Sequence, residues 1–327
     1  MEAIVKGNIE GIKFGELQVH GHVAVMPIIS SNGSGPDYLT LKEAMEGRFL
    51  RVTEVTEGGS VPELKVVNQG DRPVLLLDGE ELSGAKQNRV LNTTILLRER
   101  SETVIPVSCT EHGRWSYRSA DFSESGHIMS AKLRSVKNAS VHENLKSRLA
   151  FESDQCAVWD EIEIQARMNR QSSATGAMKD VLEAKRQDLD EFLGHLPLAE
   201  NQNGLLVLVN GKVVGLDVIS KAPAFAVIHP KLIRSYVMDA LTEKPAKSYE
   251  TPGNRADAFM EKVLQCAETQ FDSVGYGRDY RYEGKKIVGS ALVHEGTVIH
   301  MAFFQVTETE KVGRMSSVSR RRGYRAI

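Results

Sequence analysis

Residues 74–115 read VLLLDGEELSGAKQNRVLNTTILLRERSETVIPVSCTEHGRW, and the short connections inside this stretch decide the fold. Val74–Leu77 is a short apolar run that ends at Asp78-Gly79-Glu80-Glu81. Residues Leu82–Arg89 reverse the chain, and Val90–Leu97 runs back. Thr103–Cys109 then runs forward again after the charged loop Arg98–Glu102. Connections this short leave no room for helical crossovers, so they predict an antiparallel meander. The first and third strands of a meander point the same way. The polar clusters Asp78–Arg89 and Cys109–Trp115 are therefore expected on one sheet edge, two strand spacings or roughly 10 Å apart.

Outward from that stretch, the first 117 residues read as β-rich. Val19–Ile29 is β-branched and apolar, and the turn cluster Asn32–Pro36 ends it. Thr40–Gly47 fits a helical turn or an edge segment. Phe49–Val55 alternates apolar and polar residues as a half-buried strand does, and Leu64–Val67 is another short strand. Residues 141–194 read as helical. Val141–Met168 carries an apolar stripe, Ser172–Gly176 interrupts it, and Ala177–Leu193 resumes at the 3.6-residue period. Residues 204–306 are mixed. Leu205–Val209 and Val213–Ile219 flank Asn210-Gly211, a hairpin signal. Lys285–His294 and Thr297–Val306 form a second hairpin, and Pro230–Leu241 and Asn254–Gln270 read as helices. Strands, then helices, then both together predict an α+β fold: mainly antiparallel sheets, a central helical segment, and C-terminal hairpins packed on helices. One domain over 1–306 and a basic, disordered tail over 307–327 are expected.

Composition narrows the function classes. The chain has 327 residues, 41% of them apolar and 26% charged, with a net charge of −2. It lacks the basic footprint of a protein built around nucleic acid, so nucleic acid is not an expected partner. Its three cysteines, at 109, 156 and 266, are too scattered for a disulfide framework or a CxxC zinc site. No signal peptide or membrane-span pattern is visible, which predicts a cytoplasmic protein with no membrane partner.

The candidate site follows from the two clusters. Glu80, Glu81, Glu111, His112 and Cys109 are the catalytic candidates. Carboxylates serve as acids, bases or cation ligands, and imidazole shuttles protons near neutral pH. Cys109 reads either as a thiolate near His112 or as a small core residue ending a strand. Because Glu80 and Glu81 are adjacent, a strand would send them to opposite faces. Lys86, Gln87, Asn88, Arg89, Arg114 and Trp115 are the binding candidates: the cations for phosphate, Trp115 or Tyr117 for stacking on a ring. Lys86, Gln87 and Asn88 also read as plain turn residues. No metal ligand is assigned, since Glu111-His112 lacks HExxH spacing, although the carboxylates leave a divalent cation open as a cofactor. His20 and His22, placed on one strand face, read as surface histidines. Ser172–Gly176 reads as an interhelical turn rather than an anion site.

Two motifs, LDGEELSGAKQNRVLNTTILL (77–97) and IPVSCTEHGRWSY (105–117), resemble the ARG and Rhodanese-Phosphatase-superfamily-associated protein family. NGKVVGLDVIS and KLIRSYVMDAL further along are similar too. The resemblance implies association with ADP-ribosylglycohydrolase-type proteins, and so a place near NAD or ADP-ribose metabolism. It supplies no mechanism. Two functions compete: an enzyme acting on a phosphorylated, nucleotide-like small molecule, and a non-catalytic sensing or scaffolding module whose polar cluster is structural. Arg89 and Arg114 paired internally with Glu80, Glu81 or Glu111, with no cavity beside them, favour the second, and an open pocket with unpaired arginines favours the first.

Overall fold

The computed structural model describes residues 1–30, 35–246 and 252–306, with backbone alone at 252 and 253. The tail and most of the turn expected at 32–36 lie outside the described residues. The expected class holds: an α+β fold with antiparallel sheets. The largest sheet has nine strands. Its path runs Lys13–Phe14, Val23–Ile29, Gly204–Val209, Lys212–Ile219, Thr297–Gln305, Ile287–His294, Arg278–Glu283, Ala267–Asp272, and Gln18–His20 adds to Val23–Ile29. Both predicted hairpins sit in it. Asn210 and Gly211 take φ +50° and +71°, the positive angles their turn requires.

Alternation along these strands feeds two cores. Ala24, Met26, Leu206 and Leu208 meet Val5, Ile9 and Phe259 of the helices Ala3–Glu10 and Pro252–Leu264 on one face. Val25, Leu205 and Val207 meet Phe225, Leu232 and Tyr236 of helix Ala222–Ala240 on the other. A third core fills a curled, six-stranded half-barrel. Its order is Phe122–Ile128, Glu80–Gly84, Arg89–Leu91, Ser101–Cys109, Glu63–Asn68, Leu50–Glu54. Its two edges approach each other, and Arg51 on one donates twice to Asp121 beside the other, at 3.0 and 2.9 Å. Inside lie Val52, Leu64, Val66, Leu82, Leu91, Ile105 and Val107. A three-stranded sheet, Ile95–Leu97, Val74–Leu76 and Leu39–Thr40, joins the same core.

Several element boundaries differ from expectation. Val90–Leu97 is two strands in two sheets, because Asn92, Thr93 and Thr94 turn their polar groups into the interior between them. The expected reversal at 82–89 starts as a strand, Glu80–Gly84. The central helical segment begins at Ala131 rather than 141, and Val141–Met168 breaks at Leu149, which takes φ +55°. Strand Phe122–Ile128 and helix Ala3–Glu10 were not anticipated. Ala177–Leu193 is two helices, Met178–Ala184 and Arg186–His195. Pro230 lies inside helix Ala222–Ala240 rather than in its first turn, where Pro223 stands. The helix expected over Asn254–Gln270 stops at Leu264 and yields to strand Ala267–Asp272. Gly21 makes a turn between His20 and His22, so they share no strand face; His20 stacks on His195 at 3.9 Å and His22 bonds the Ala240 carbonyl.

Candidate functional site at the half-barrel mouth

Register places the site. Arg89 pairs with Cys109 on one side and with Leu82 on the other, so the three share a row across the half-barrel. Paired residues point to the same face, and Leu82 lies in the barrel core, so Arg89 and Cys109 face inward at the end of the barrel. The strands that meet here are Glu80–Gly84 and Ser101–Cys109. The first expected strand, Val74–Leu77, belongs to a different sheet, although the two clusters still converge.

Arg89 has no exposed surface. Its Nη1 donates to Gln87 Oε1 at 3.0 Å and to the Asn88 carbonyl at 3.4 Å. Its Nε and Nη2 donate to nothing, and among the described residues no carboxylate lies within ion-pairing reach. Burial accordingly pushes the guanidinium below its usual range, against attraction from Cys109 and Glu54. Glu54 ends the inward-facing series Leu50, Val52, Glu54 on the edge strand. Its Oε1 accepts from the Lys86 amide at 3.4 Å, while its Oε2 is buried without a partner. Above these groups sits a cover. The Trp115 ring centroid lies 5.7 Å from the Arg89 guanidinium carbon, and Lys86 Nζ lies 5.4 Å from Trp115 and 5.0 Å from Tyr117. Both rings are about half exposed. Lys86 Nζ donates to the Gly58 carbonyl at 2.6 Å and Tyr117 Oη to the Glu57 carbonyl at 3.1 Å. Gly59, at φ +77°, keeps that loop close: a Cβ there would stand 3.1 Å from Lys86 Cδ and 3.3 Å from Trp115.

Beside the mouth, Glu111 anchors a closed network. It accepts from Arg114 Nη2 at 2.6 Å, the Asn88 amide at 3.2 Å and Thr175 Oγ1 at 2.9 Å. Burial would raise its pKa, but these donors hold it below the ordinary value. Arg114 also donates to the carbonyls of Ala85, Ser116 and Gly84 and to Asn88 Oδ1, while its Nε is buried without a partner. The turn at 172–176 serves this network through Thr175. Cys109 donates its S–H to Gln87 Oε1 at 3.1 Å, and its backbone is clamped by Gln155 at 2.7 and 2.9 Å. Burial pushes the thiol up, with the Glu111 amide and the Arg89 charge opposing. His112 is exposed and leans on Trp159 at 4.2 Å.

The first cluster divides. Asp78 leaves the mouth to meet Lys137, with Arg134 Nε at 3.6 Å. Glu80 accepts from Lys231 and from the Leu77 amide. Glu81 points to the outer face of the barrel wall, as adjacency to Glu80 required, and accepts from Thr110 at 2.8 Å. Burial pushes it up to about 7, against hydrogen bonds from Thr110 and Ser125. The mouth thus gathers Lys86, Gln87, Asn88, Arg89, Cys109, Glu111, Arg114 and Trp115 but neither Glu80 nor Glu81. Sequence reasoning missed Glu54, Gln155 and Thr175. Glu54 left a signal: a carboxylate in register with Leu50 and Val52 on the apolar face of an alternating strand. Among the described residues, no group of three or more His, Cys, Asp and Glu side chains is arranged to hold a metal ion.

A family model described as the ARG and Rhodanese-Phosphatase-superfamily-associated Protein domain matches residues 11–304, nearly the whole chain. No curated protein matches, and no solved structure matches.

Proposed function

We propose that this chain, which belongs to the ARG and Rhodanese-Phosphatase-superfamily-associated family, binds a phosphorylated, nucleotide-like small molecule at the half-barrel mouth. One observation carries the reading. Arg89 is buried with its Nε and Nη2 unused, and these adjacent N–H groups form the edge that grips an oxyanion at two points. Leaving a buried donor unpaired costs about 1–3 kcal/mol, more when it is charged, so an anion on that edge would relieve a standing penalty. The exposed rings of Trp115 and Tyr117 supply a stacking surface beside it. Mouths of β-barrels are common ligand sites. The family's named association favours ADP-ribose or an NAD-derived compound as the ligand.

Binding is better supported than turnover. Glu111 and Arg114 satisfy each other, the Cys109 thiol is shifted away from the reactive thiolate, and Glu81 lies across the wall from Arg89. That half of the cluster fits the scaffold reading, and Arg89 with its cover fits the ligand reading. Thermal unfolding with ADP-ribose, NAD and AMP tests it. At a hundredfold excess over Kd, a ligand specific to the native state adds about 2.7 kcal/mol, a rise of several degrees in Tm. The rise should vanish in Arg89→Met. If all three ligands leave the wild-type Tm unmoved, the reading fails.

A further inference from the structure

The mouth holds a second unpaired group of opposite appetite, and the two together narrow the ligand. Arg89 Nε and Nη2 seek acceptors, whereas Glu54 Oε2 seeks a donor. Both residues are buried, at 0% and 8% exposure, and both belong to the inner surface at the same end of the half-barrel. Their charges attract, yet they do not reach each other to form an ion pair. Among the described residues, Glu54 is otherwise held by the long contact from the Lys86 amide alone. A buried carboxylate beside a buried guanidinium would ordinarily close on it. Here they form no ion pair, and each keeps an unpaired group at the end of the barrel close to the Trp115 ring.

We infer that Glu54 selects, at this mouth, ligands that carry a hydroxyl donor next to their oxyanion, which is the chemistry of a sugar phosphate. This rests on the mouth being the ligand site. Arg89 takes the phosphate oxygens through its two adjacent N–H groups, and Glu54 Oε2 accepts a sugar hydroxyl. A phosphate without neighbouring hydroxyls satisfies Arg89 but leaves Glu54 unpaired and sets two negative charges facing each other. A site built for a hydroxyl discriminates strongly against analogues that lack it, because its own polar group is then stranded.

The test is a pair of titrations on the full chain, with D-ribose 5-phosphate and with methyl phosphate, followed by calorimetry or by ligand-observed NMR. The wild type should bind ribose 5-phosphate at least tenfold more tightly. In Glu54→Gln that preference should collapse from both sides: ribose 5-phosphate weaker by about tenfold, methyl phosphate unchanged or tighter because the repelling charge is gone. Opposite signs for the two ligands separate recognition from a general loosening of the fold, and an unchanged Tm for the variant checks this directly. If wild-type protein binds methyl phosphate as tightly as ribose 5-phosphate, the role of Glu54 is overturned while the mouth stays a phosphate site. If neither these phosphates nor ADP-ribose bind, the mouth reading falls and this inference falls with it.

Discussion

Arg89 and Arg134 are both completely buried, and they live in opposite circumstances. Arg134, on helix Ala131–Arg148, donates to both oxygens of Asp217 at 2.9 and 2.7 Å. Asp217 also accepts from Tyr236 at 2.7 Å and from His300 Nε2 at 3.0 Å. The chain of hydrogen bonds continues: the Asp78 amide donates to Thr94 Oγ1, and that hydroxyl and His300 Nδ1 are bonded at 2.8 Å. Asp78 in turn holds Lys137. Burial alone would weaken the charge on Arg134, but Asp217 and Asp78 overcome it and raise its pKa. Among the described residues no carboxylate pairs with Arg89, and burial pushes its pKa down. The Arg134 network ties helix 131–148 to the strands of the large sheet and to the 77–80 turn. The Arg89 guanidinium bonds only its sequence neighbours Gln87 and Asn88 among the described residues, so it ties no remote elements together. Arg134 also keeps its Nε without a hydrogen bond, 3.6 Å from Asp78, so the difference lies in counter-charge: a buried cation neutralised by the protein's own carboxylates reads as architecture, and one without such a partner reads as a place for a ligand anion.

The largest expected effect breaks the architectural side. Arg134→Met should lose about 3–5 kcal/mol of stability in denaturant unfolding, the usual result of stranding a buried charge. It leaves Asp217 with Tyr236 and His300 as hydrogen-bond partners and without the guanidinium. A loss below about 1 kcal/mol would mean that the network is not a structural brace.

The carboxylates sharpen the same contrast through pH. Burial would raise Asp217, but Arg134 and His300 hold it well below the ordinary carboxylate range. Its contribution is therefore present above the ordinary aspartate pKa and is lost only as acid protonates it in the folded protein. Glu81 is the reverse case, raised by burial to about 7. Its stabilising contribution is full below the ordinary glutamate pKa of 4.5 and falls away as pH climbs toward 7. That window is worth on the order of 3 kcal/mol. Glu81→Gln should flatten the stability profile between pH 4.5 and 7. Asp239, raised by burial to about 6, imposes a similar fall that remains in this variant. An unaltered slope would show that Glu81 is ionised in the folded state.

Arg89→Met should move stability the other way. Removing an unpaired buried charge is expected to leave the ligand-free protein as stable as before or up to about 1–3 kcal/mol more so. The same change should abolish ligand-induced stabilisation. A variant as crippled as Arg134→Met would place Arg89 among the braces and sink the contrast.

How much of this was legible beforehand depends on the range over which each feature is set. Tight hairpins were readable because Asn210-Gly211 and Glu295-Gly296 encode their own positive φ angles. The convergence of Arg89, Cys109, Glu111 and Arg114 was readable because short connections force antiparallel pairing. What failed was decided at long range. Val90–Leu97 looks like one strand, and its break at Asn92–Thr94 exists because Lys137, Asp279 and His300, remote in sequence, take those polar groups. The sequence predicts this helix only from Val141 because Arg134, Lys137 and Asn138 interrupt the apolar stripe of helix 131–148, and nothing local announces that these polar side chains are buried. The departure of Asp78 and Glu80 from the mouth follows from the same hidden cations, Lys137 and Lys231.

The smallest effect on the fold belongs to Trp115. Its ring is about half exposed, and its contacts are to Lys86, Arg89 and the 59 backbone rather than to a core. Trp115→Ala should therefore change the unfolding free energy by less than about 1 kcal/mol, as surface substitutions usually do. Its effect on ligand should be larger than its effect on folding, because aromatic stacking on a nucleotide base or sugar contributes about 1–3 kcal/mol. Titration of ADP-ribose and of ribose 5-phosphate into this variant separates the two roles of the ring. If Trp115 stacks on a base, ADP-ribose weakens and ribose 5-phosphate does not. If it acts only as a cover that excludes water from Arg89, both ligands weaken together. Were both affinities unchanged, Arg89 would be reached by another route and the exposed ring would be no part of the site.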